Sequence, residues 1–317
     1  MNKDQTLYLV VPCYNEQEVL PETHRRLSEK LESLAARGQI SAQSKMLFVD
    51  DGSRDATWQI ICQLAQQDSR VMGVKLSRNR GHQNALLAGL TTAVERSDMT
   101  ISVDADLQDD LDAIDQMVEK FHAGAQIVYG VRSDRTTDSA FKRGTAQGFY
   151  KLMERMGVET VYNHADYRLM SRRALAELLS FREVNLFLRG MVPQVGFKTD
   201  TVTYKRAERF AGESKYPLKK MLALAINGIT SFSVRPLELI FWLGLLCGLG
   251  GGAALICQTV LAILGRCPST AAFAISCLWM VCGILLVAMG IVGEYVGKIY
   301  LETKDRPRFI IESVVGE

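Results

Sequence analysis

The sequence lacks any large excess of charge of one sign. Its 37 Lys and Arg residues nearly balance 35 Asp and Glu residues, which gives a net charge of +2 at pH 7. No broad electrostatic field therefore favours nucleic acid as a partner, and any electrostatic role must be local. Internal repeats and low-complexity tracts are also missing, which excludes solenoid and disordered-array architectures.

A cysteine framework and a secretion signal are missing as well. The seven cysteines include no C-x-x-C pair and no histidine at metal-ligand spacing, so they are expected to be reduced, buried and structural. This favours a cytosolic compartment for the N-terminal part of the chain. The first apolar run, Leu7–Cys13, is too short for a signal peptide and polar residues follow it directly.

Short apolar runs alternate with segments of helical periodicity through the first part of the chain. The expected strands are Leu7–Pro12, Met46–Val49, Val71–Leu76, Met99–Val103 and Gln126–Val131, and the expected helices are Val19–Leu34, Thr57–Ala65, His82–Val94 and Leu111–Phe121. This alternation predicts a doubly wound α/β fold with a mostly parallel sheet. Ligands of such sheets bind at the carboxyl ends of the strands.

Two long uncharged runs follow, Leu237–Leu264 and Ala271–Val292. As helices they would measure roughly 42 Å and 33 Å, which exceeds the ~30 Å hydrocarbon core of a membrane. Only Gly265–Thr270 connects them, so we expect an antiparallel transmembrane hairpin. The alternative is a pair of buried core helices, but uncharged runs of this length are rare in soluble cores.

Basic residues flank the hairpin on its outer sides, whereas the connecting loop carries only Arg266. The positive-inside rule then places the large domain in the cytoplasm. An apolar face on Leu218–Ile229 predicts an interfacial helix on membrane lipids, or alternatively a helix packed on the catalytic domain. The expected organisation is a catalytic domain over 1–215, a juxtamembrane helix region over 216–236, the hairpin over 237–296 and a cytoplasmic tail over 297–317.

Polar motifs follow the first two strands. After Pro12, the ring of Tyr14 can border a base, and Asn15 and Glu16 can bond a ribose; alternatively, Asn15 is an ordinary helix N-cap. In Asp50–Ser53, a carboxylate can accept a hydrogen bond from a base N–H. The alternative is ordinary turn chemistry, because Asp-Gly-Ser commonly precedes a helix.

A third motif contains two carboxylates, Asp104 and Asp106, at the end of an apolar strand. If the backbone is extended, both side chains emerge on one face and repel one another unless a cation joins them. Mg²⁺ or Mn²⁺ suits such oxygen ligands and bridges phosphates. The alternative is a solvated acidic loop. Together, the three strand ends predict a nucleotide-diphosphate site.

These motifs resemble the signature of inverting family 2 glycosyltransferases with a GT-A (Rossmann-like) fold, and more narrowly that of polyprenyl-phosphate sugar transferases. The resemblance covers nearly the whole chain, including the two-helix anchor, and is nearest to the bactoprenol glucosyltransferase type. It rests on Pro12–Glu16, Asp50–Ser53, Asp104–Gln108, Asn79–Ala85, Ala165–Leu169, Arg209–Tyr216 and Gly293–Gly297.

The resemblance implies a role for each matched residue. It places a metal ion at Asp104, Asp106 and Gln108, with Asp106 also catalytic. It implies nucleotide-sugar contacts from Pro12, Tyr14, Asn15, Glu16, Asp50, Asp51, Asp104, Ala105 and Gln108, with Asp51 on the base. UDP is the nucleotide it favours. Asp166 is expected near the reacting centre as a general base, although an ion pair with Arg168 or another arginine is the alternative.

The implied acceptor is a polyprenyl phosphate, whose two negative charges call for cations. Arginine suits phosphate because its guanidinium binds in a forked geometry. The candidates are Arg132, which is also expected at the catalytic centre, and Arg135, Arg143, Arg206, Arg209 and Lys215. Homo-oligomers through the membrane region also fit the resemblance.

Two other functions compete with this hypothesis. A processive polysaccharide synthase of the same family would use another acceptor, but such enzymes usually carry a QxxRW motif, which this sequence lacks. A non-catalytic nucleotide-sensing membrane protein is the second; the intact Asp104 and Asp106 pair argues against it. The sugar itself is not fixed by the sequence, and glucose is favoured from the subgroup.

Overall fold

The computed structural model describes residues 4–132, 164–183, 188–205 and 270–317, together with residues 242, 260, 263 and 264. The chain divides into two compact units. The first comprises Met1–Lys151, Glu159–Leu218 and Arg306–Glu317, and the second Leu152–Val158 and Lys219–Asp305. The juxtamembrane region predicted at 216–236, and nearly all of the first predicted span, lie outside the described residues.

One eight-stranded sheet forms the framework of the first unit, counted over the described ranges. Its strands are β1 Leu7–Cys13, β2 Lys45–Asp50, β3 Val71–Leu76, β4 Met99–Ser102, β5 Ile127–Arg132, β6 His164–Ser171, β7 Thr199–Tyr204 and β8 Ile311–Val315. They lie in the order β7-β5-β6-β4-β1-β2-β3-β8. Strand β6 is antiparallel to β4 and β5, and β8 is antiparallel to β3, whereas the other neighbours are parallel.

Helices connect and cover these strands. They are α1 Leu20–Ala36, α2 Thr57–Gln67, α3 His82–Ala93, α4 Ala113–His122, α5 Arg172–Ser180 and α6 Leu188–Gln194. Strand β1 is buried at all seven positions, as expected for a parallel strand with both faces covered. The apolar stripes of α1 and α4 pack against the core on one side, and α3 packs on β1 and β2.

The connection order creates a switch point at the centre of the sheet. The chain runs from β1 outward through β2 to β3, and then returns to place β4 on the other side of β1. Loops leaving the carboxyl ends of β1 and β4 therefore diverge, and a crevice opens between them. Two of the three polar motifs lie at these two ends.

The mostly parallel sheet and the alternation of its first five strands are confirmed, with boundaries within two residues of the prediction. The tail expected at 297–317 needs correction, because β8 belongs to the sheet of the first unit. It pairs with β3, and Lys45 Nζ donates to the Gly316 carbonyl at 3.1 Å. Gly316 has φ +76, and a Cβ there would lie 2.2 Å from the Val71 oxygen, so only glycine fits.

The second unit contains α7, Thr270–Thr303, a helix of 34 residues. It covers the run Ala271–Val292 and continues past residue 296, where the hairpin was expected to end. Judged on the residues that the structure describes, no helix is both long and apolar enough to cross a membrane. The hairpin and the interfacial helix remain predictions.

Candidate active site

The predicted site residues follow one edge of the sheet, in the order of its strands. Arg132 ends β5, and Asp166 lies near the start of β6, which is antiparallel and therefore begins at the same edge. Asp104 follows β4, Tyr14 follows β1 and Asp51 follows β2. Along this edge, the Arg132 cation thus lies at β5 and the carboxylates of Asp166 and Asp104 lie at the centre. The residues expected to bind the nucleoside follow β1 and β2.

The loops after β1 and β2 are bonded to one another. The Asn15 amide donates to Ser53 Oγ at 3.0 Å, and Asn15 Oδ1 accepts from the Arg54 amide at 2.9 Å. Asn15 adopts φ +55, which asparagine tolerates better than most residues. Its side chain does not cap α1, which begins at Leu20, so the N-cap interpretation was wrong. Tyr14 is 37% exposed beside this junction.

Asp51 binds the backbone of the loop that leads into α3. It is buried, and its two oxygens accept from the backbone amides of Arg80 at 2.7 Å and Gly81 at 2.9 Å. Burial raises the pKa of this carboxyl, while the two amides act in the opposite direction. Each oxygen of Asp51 accepts one backbone amide, and a carboxylate oxygen can accept a second hydrogen bond. The contact with a base expected for Asp51 therefore stays a prediction.

Three other side chains expected at the nucleotide are buried below the site. Asp50 is fully buried and accepts from the Ser53 amide at 3.1 Å, which is the turn chemistry considered as the alternative. Pro12 is buried within β1, and Ala105 is in the hydrophobic core. Their buried side chains shape the loops, and the nucleotide contacts expected of these residues stay predictions.

The loop after β4 alternates between core and crevice. Asp104, Asp106 and Gln108 are half-buried, whereas Ala105, Leu107 and Asp109 are buried. Both carboxylates are thus less buried than their neighbours, but residues 105 and 106 form a turn rather than the extended backbone on which the single-face prediction depended. Asp104 Oδ1 lies 3.6 Å from Nε2 of His82, the first residue of α3. His82 is a neighbour of the acidic pair that the spacing of the motifs did not reveal.

The fit of a divalent cation rests on the oxygen donors of this loop. Among the described residues, no three His, Cys, Asp or Glu side chains converge on one point. Asp104, Asp106 and the amide oxygen of Gln108 offer the hard ligands that Mg²⁺ or Mn²⁺ accepts, and such ions commonly complete their shell with water and substrate phosphates. The donor set therefore fits a substrate-bridging cation.

Asp109 is a further buried carboxylate beside this loop. Its Oδ1 accepts from the Tyr204 hydroxyl at 2.6 Å and lies 3.8 Å from Arg132 Nη2. Burial, reinforced by the charge of Asp104, raises the pKa of Asp109 to about 6. Sequence reasoning missed Asp109 and Tyr204. The position of Asp109 directly after Gln108 was the only signal in the sequence.

Asp166 is enclosed by two arginines. Its Oδ1 lies 3.0 Å from Arg168 Nη2, and its Oδ2 lies 3.1 Å from Nη2 of Arg189 in α6. Burial acts to raise the pKa of Asp166, but Arg189 and then Arg168 outweigh it and hold the pKa far below its usual range. A carboxylate so stabilised is a poor proton acceptor near neutral pH, which favours the ion-pair interpretation over the general base.

Arg132 lies where it was expected, at the carboxyl end of β5, with Nε donating to the Tyr204 hydroxyl at 3.3 Å. The other cations expected at the acceptor lie outside the described residues: Arg135, Arg143, Arg206, Arg209 and Lys215.

Comparison with known proteins agrees with this geometry. The sequence profile of "Glycosyl transferase family 2" matches residues 8–179. The uncharacterized glycosyltransferase YkoT of Bacillus subtilis is 50% identical over 96% of this chain and 91% of the relative. A prophage bactoprenol glucosyl transferase homolog of Escherichia coli is 40% identical over 96% of this chain and 98% of the relative.

A bactoprenol glucosyl transferase of Shigella phage SfX is 39% identical over 96% of this chain and 98% of the relative. Among solved structures, a mannosyltransferase from Pyrobaculum calidifontis has a TM-score of 0.46 at 16% identity, over 96% of this chain and 88% of that one. That likeness is too distant to carry a conclusion. The profile and the sequence relatives are sufficient: this chain belongs to glycosyl transferase family 2 and is a glycosyltransferase with a Rossmann-like GT-A sheet.

Proposed function

We propose that the protein transfers glucose from UDP-glucose to a polyprenyl phosphate at the cytoplasmic face of a membrane, with inversion at the anomeric carbon. The observation that carries the acceptor and the sugar is the near full-length identity, at 39–40%, with bactoprenol glucosyl transferases. The edge of the sheet supports the same reaction, because Tyr14 follows β1, the carboxylates of Asp104 and Asp106 follow β4, and Arg132 ends β5.

The donor occupies the crevice between the loops after β1 and β4. Tyr14 borders the base, and the clamped backbone of Asn15 and Glu16 forms the wall on the ribose side. Asp104, Asp106 and Gln108 would hold Mg²⁺ or Mn²⁺. Such an ion neutralises the charge that develops on the departing diphosphate. The backbone amide of Gln108 donates to Asp106 Oδ1 at 3.2 Å, which fixes the backbone of the loop that carries both residues.

Transfer is a single displacement at the anomeric carbon of the sugar. An oxygen of the acceptor phosphate forms the new bond to this carbon as the bond to the diphosphate breaks, and the electron pair leaves with UDP. The acceptor needs little deprotonation, because the second pKa of a phosphate monoester is about 6. Catalysis then depends on position and charge, which agrees with an Asp166 that stays ionised within its ion pairs.

The acceptor reaches the edge of the sheet near β5. Arg132 lies there, 24% exposed at its side chain, and a guanidinium suits a phosphate headgroup. A polyprenyl tail stays in the bilayer, so the catalytic domain must be held at the headgroup plane. The uncharged runs Leu237–Leu264 and Ala271–Val292 supply that anchor in this proposal.

Transfer of radiolabel from UDP-glucose to undecaprenyl phosphate in detergent, with Mg²⁺ or Mn²⁺, tests the proposal. The wild type and the exposed control Asp110→Asn should form a labelled lipid, whereas Asp106→Asn should lose at least about 100-fold in rate, because the metal-bridged charge stabilisation is lost. Absence of a lipid product from the wild type with UDP-glucose and other UDP-sugars would refute the acceptor. A product that retains the α configuration by NMR would refute inversion.

A second measurement tests the location. Protease added to sealed inverted membrane vesicles should digest the catalytic domain, whereas protease added to right-side-out vesicles should leave it intact. The opposite pattern would contradict a cytoplasmic active site.

A further inference from the structure

We propose that Asp109 and Tyr204 are positioning residues that orient the guanidinium group of Arg132 toward the phosphate of the acceptor. The proposal rests on the function proposed above, in which Arg132 meets that phosphate. It deepens that function by naming the two side chains that hold the arginine. Neither of them touches a substrate or transfers a proton in this proposal.

Three side chains from three separate segments meet in this cluster. The Tyr204 hydroxyl donates to Asp109 Oδ1 at 2.6 Å, and Arg132 Nε donates to the same hydroxyl oxygen at 3.3 Å. Arg132 Nη2 also lies 3.8 Å from Asp109 Oδ1. Nε and Nη2 are on one edge of the planar guanidinium group, so contacts at both nitrogens fix its plane. A guanidinium carries several further N–H donors, so it can keep these contacts and bind a phosphate at the same time.

The backbone places the three groups side by side. Arg132 and Tyr204 are direct neighbours in the parallel pairing of β5 with β7, so their side chains lie on the same face of the sheet. The Tyr204 ring packs edge to face on Tyr167, with ring centroids 5.2 Å apart. The Tyr167 hydroxyl donates to the Asp110 carbonyl at 2.9 Å, which fixes the loop beside Asp109. The tyrosine and the carboxylate are therefore held in place by the fold itself.

Burial separates the two holding groups from the group that they hold. The side chain of Asp109 is 2% exposed, whereas that of Arg132 is 24% exposed, and Tyr204 is buried. The carboxylate and the hydroxyl are thus internal, and the guanidinium group is the part of the cluster that reaches the surface. An acceptor phosphate can therefore contact Arg132 but not the two residues beneath it.

Stability alone does not account for a carboxylate at this position. Within the part of the chain that the structure describes, Asp109 Oδ2 is buried and has no hydrogen-bond partner. A buried carboxylate loses its hydration, and the ion pairs that it makes commonly return no more free energy than that loss costs. An apolar side chain would satisfy the core equally well, but it could not hold Arg132. The carboxylate is therefore explained by its effect on the arginine.

The loop that carries Asp109 also carries the residues expected at the metal. Asp109 directly follows Gln108 and lies five positions after Asp104. Arg132 is therefore tied to the loop that would hold the metal-bound diphosphate. A displacement at the anomeric carbon requires that its two reacting partners are oriented against one another, and Asp109 links the cation of the acceptor side to the donor side.

Steady-state kinetics with both substrates varied tests the proposal. Asp109→Asn and Tyr204→Phe should each raise the KM for undecaprenyl phosphate on the order of 10-fold, because the guanidinium group stays but its orientation is lost. The KM for UDP-glucose should stay within about twofold of the wild-type value, because no contact with the donor is removed. A rise in the KM for UDP-glucose in place of that for undecaprenyl phosphate would overturn the proposal.

A double variant tests whether Asp109 acts through Arg132. Arg132→Ala should raise the KM for undecaprenyl phosphate at least as much as Asp109→Asn does. Adding Asp109→Asn to Arg132→Ala should change this KM by less than about twofold, because side chains that act as one unit give non-additive losses. Multiplicative losses would show that Asp109 acts independently of the arginine and would overturn the proposal.

Asp115→Asn and Tyr8→Phe are the matched controls. Asp115 is a half-buried carboxylate of α4 that pairs with two basic side chains, and Tyr8 is a buried tyrosine at the amino-terminal end of β1, the end opposite to the site. With every variant assayed below its unfolding temperature, both controls should keep the wild-type KM for undecaprenyl phosphate even where their Tm falls. If Asp109→Asn and Tyr204→Phe give the same KM as the controls, the proposal is wrong. Should Asp109→Asn fail to fold, Tyr204→Phe carries the same test.

A wild type that forms no lipid product would refute the function proposed above, and binding then decides for the positioning role. The probe is geranyl phosphate, a short polyprenyl phosphate, and its binding is measured by calorimetry. Weaker binding to Asp109→Asn than to Asp115→Asn supports the proposal, and equal binding overturns it.

Discussion

Gly52 is the position where a single methyl group should disturb both the fold and the site. It adopts φ +65, and a Cβ placed there would lie 2.6 Å from the Arg78 carbonyl carbon and 2.6 Å from the Asn79 nitrogen. Both are backbone atoms, which cannot rotate away as a side chain would. Substitution by alanine must therefore displace the loop that leads into α3.

The size of the effect follows from these contacts. The left-handed conformation costs alanine about 1–2 kcal/mol. Ordinary contact begins near 3.4 Å, so the loop must move by 3.4 − 2.6 = 0.8 Å. Such a shift stretches the bonds from the Arg80 and Gly81 amides to Asp51, now 2.7 and 2.9 Å. Weakening one bond to a charged group costs about 1.5–3 kcal/mol, so the total loss of unfolding free energy is about 3–5 kcal/mol.

Thermal unfolding of the purified protein in detergent measures this loss, which corresponds to a decrease in Tm on the order of 10 °C. Gly196→Ala is the matched control, because Gly196 has a similar φ of +73 and its nearest foreign atom is 3.9 Å away. The Gly196→Ala variant should lose only the free energy that the left-handed conformation costs alanine, about 1–2 kcal/mol. Glucosyl transfer should fall in Gly52→Ala even below its unfolding temperature, because His82 follows the displaced loop. Equal Tm values for the two variants would refute the packing argument.

Three further predictions concern buried charge and the edges of the sheet. Tyr204→Phe removes the 2.6 Å bond to the buried Asp109 carboxylate and should cost about 1–3 kcal/mol in thermal unfolding; an unchanged Tm would contradict the contact. The pKa of Asp109 is raised from 3.8 to about 6 in the folded state, so the folded state holds this proton to higher pH than the unfolded chain. Stability should therefore fall as the pH rises from 4 to 6, by about 3 kcal/mol in total; Asp109→Asn should lack this fall, and an equal fall in the variant would contradict it. Deleting residues 311–317 removes β8 and should destabilise the catalytic unit, whereas Lys75→Ala, which removes only its exposed ion pair with Glu312, should cost less than about 1 kcal/mol; equal unfolding curves for the two would contradict the role of β8.

Much of the sheet could be predicted, because each central strand is a short apolar run that can be recognised from the local sequence alone. The runs that form β1 to β5 are mostly buried on both faces, so they are mostly apolar, and polar turns separate them from the helices. Strands β6 to β8 gave no such signal. Thr199–Tyr204 and Ile311–Val315 are edge strands with mostly exposed or half-buried residues, and their place depends on partners far away in the chain.

The same distinction between local sequence patterns and contacts with distant segments applies to the candidate site. The place of the β4 loop carboxylates at the edge of the sheet could be predicted, because they follow directly on an apolar strand. The role of Asp51 could not, because it depends on the amides of Arg80 and Gly81 at the end of another strand. The pairing of Asp166 with Arg189 likewise crosses 23 residues, between β6 and α6. Sequence patterns identify which chemistry is present, whereas the topology decides which groups meet.

The order of the strands also explains how a single edge can bind two anionic substrates without mixing them. The antiparallel strand β6 lies between β4 and β5, so its first residues separate the carboxylates after β4 from Arg132 at the end of β5. Arg168 and Asp166 come from this strand, and they bring Arg189 to the boundary. Under the proposed function, the carboxylates would recruit a cation for the diphosphate, and the guanidinium group of Arg132 would attract the acceptor phosphate. The strand between them would then hold the two substrates apart, except at the anomeric carbon, where the acceptor phosphate replaces the diphosphate.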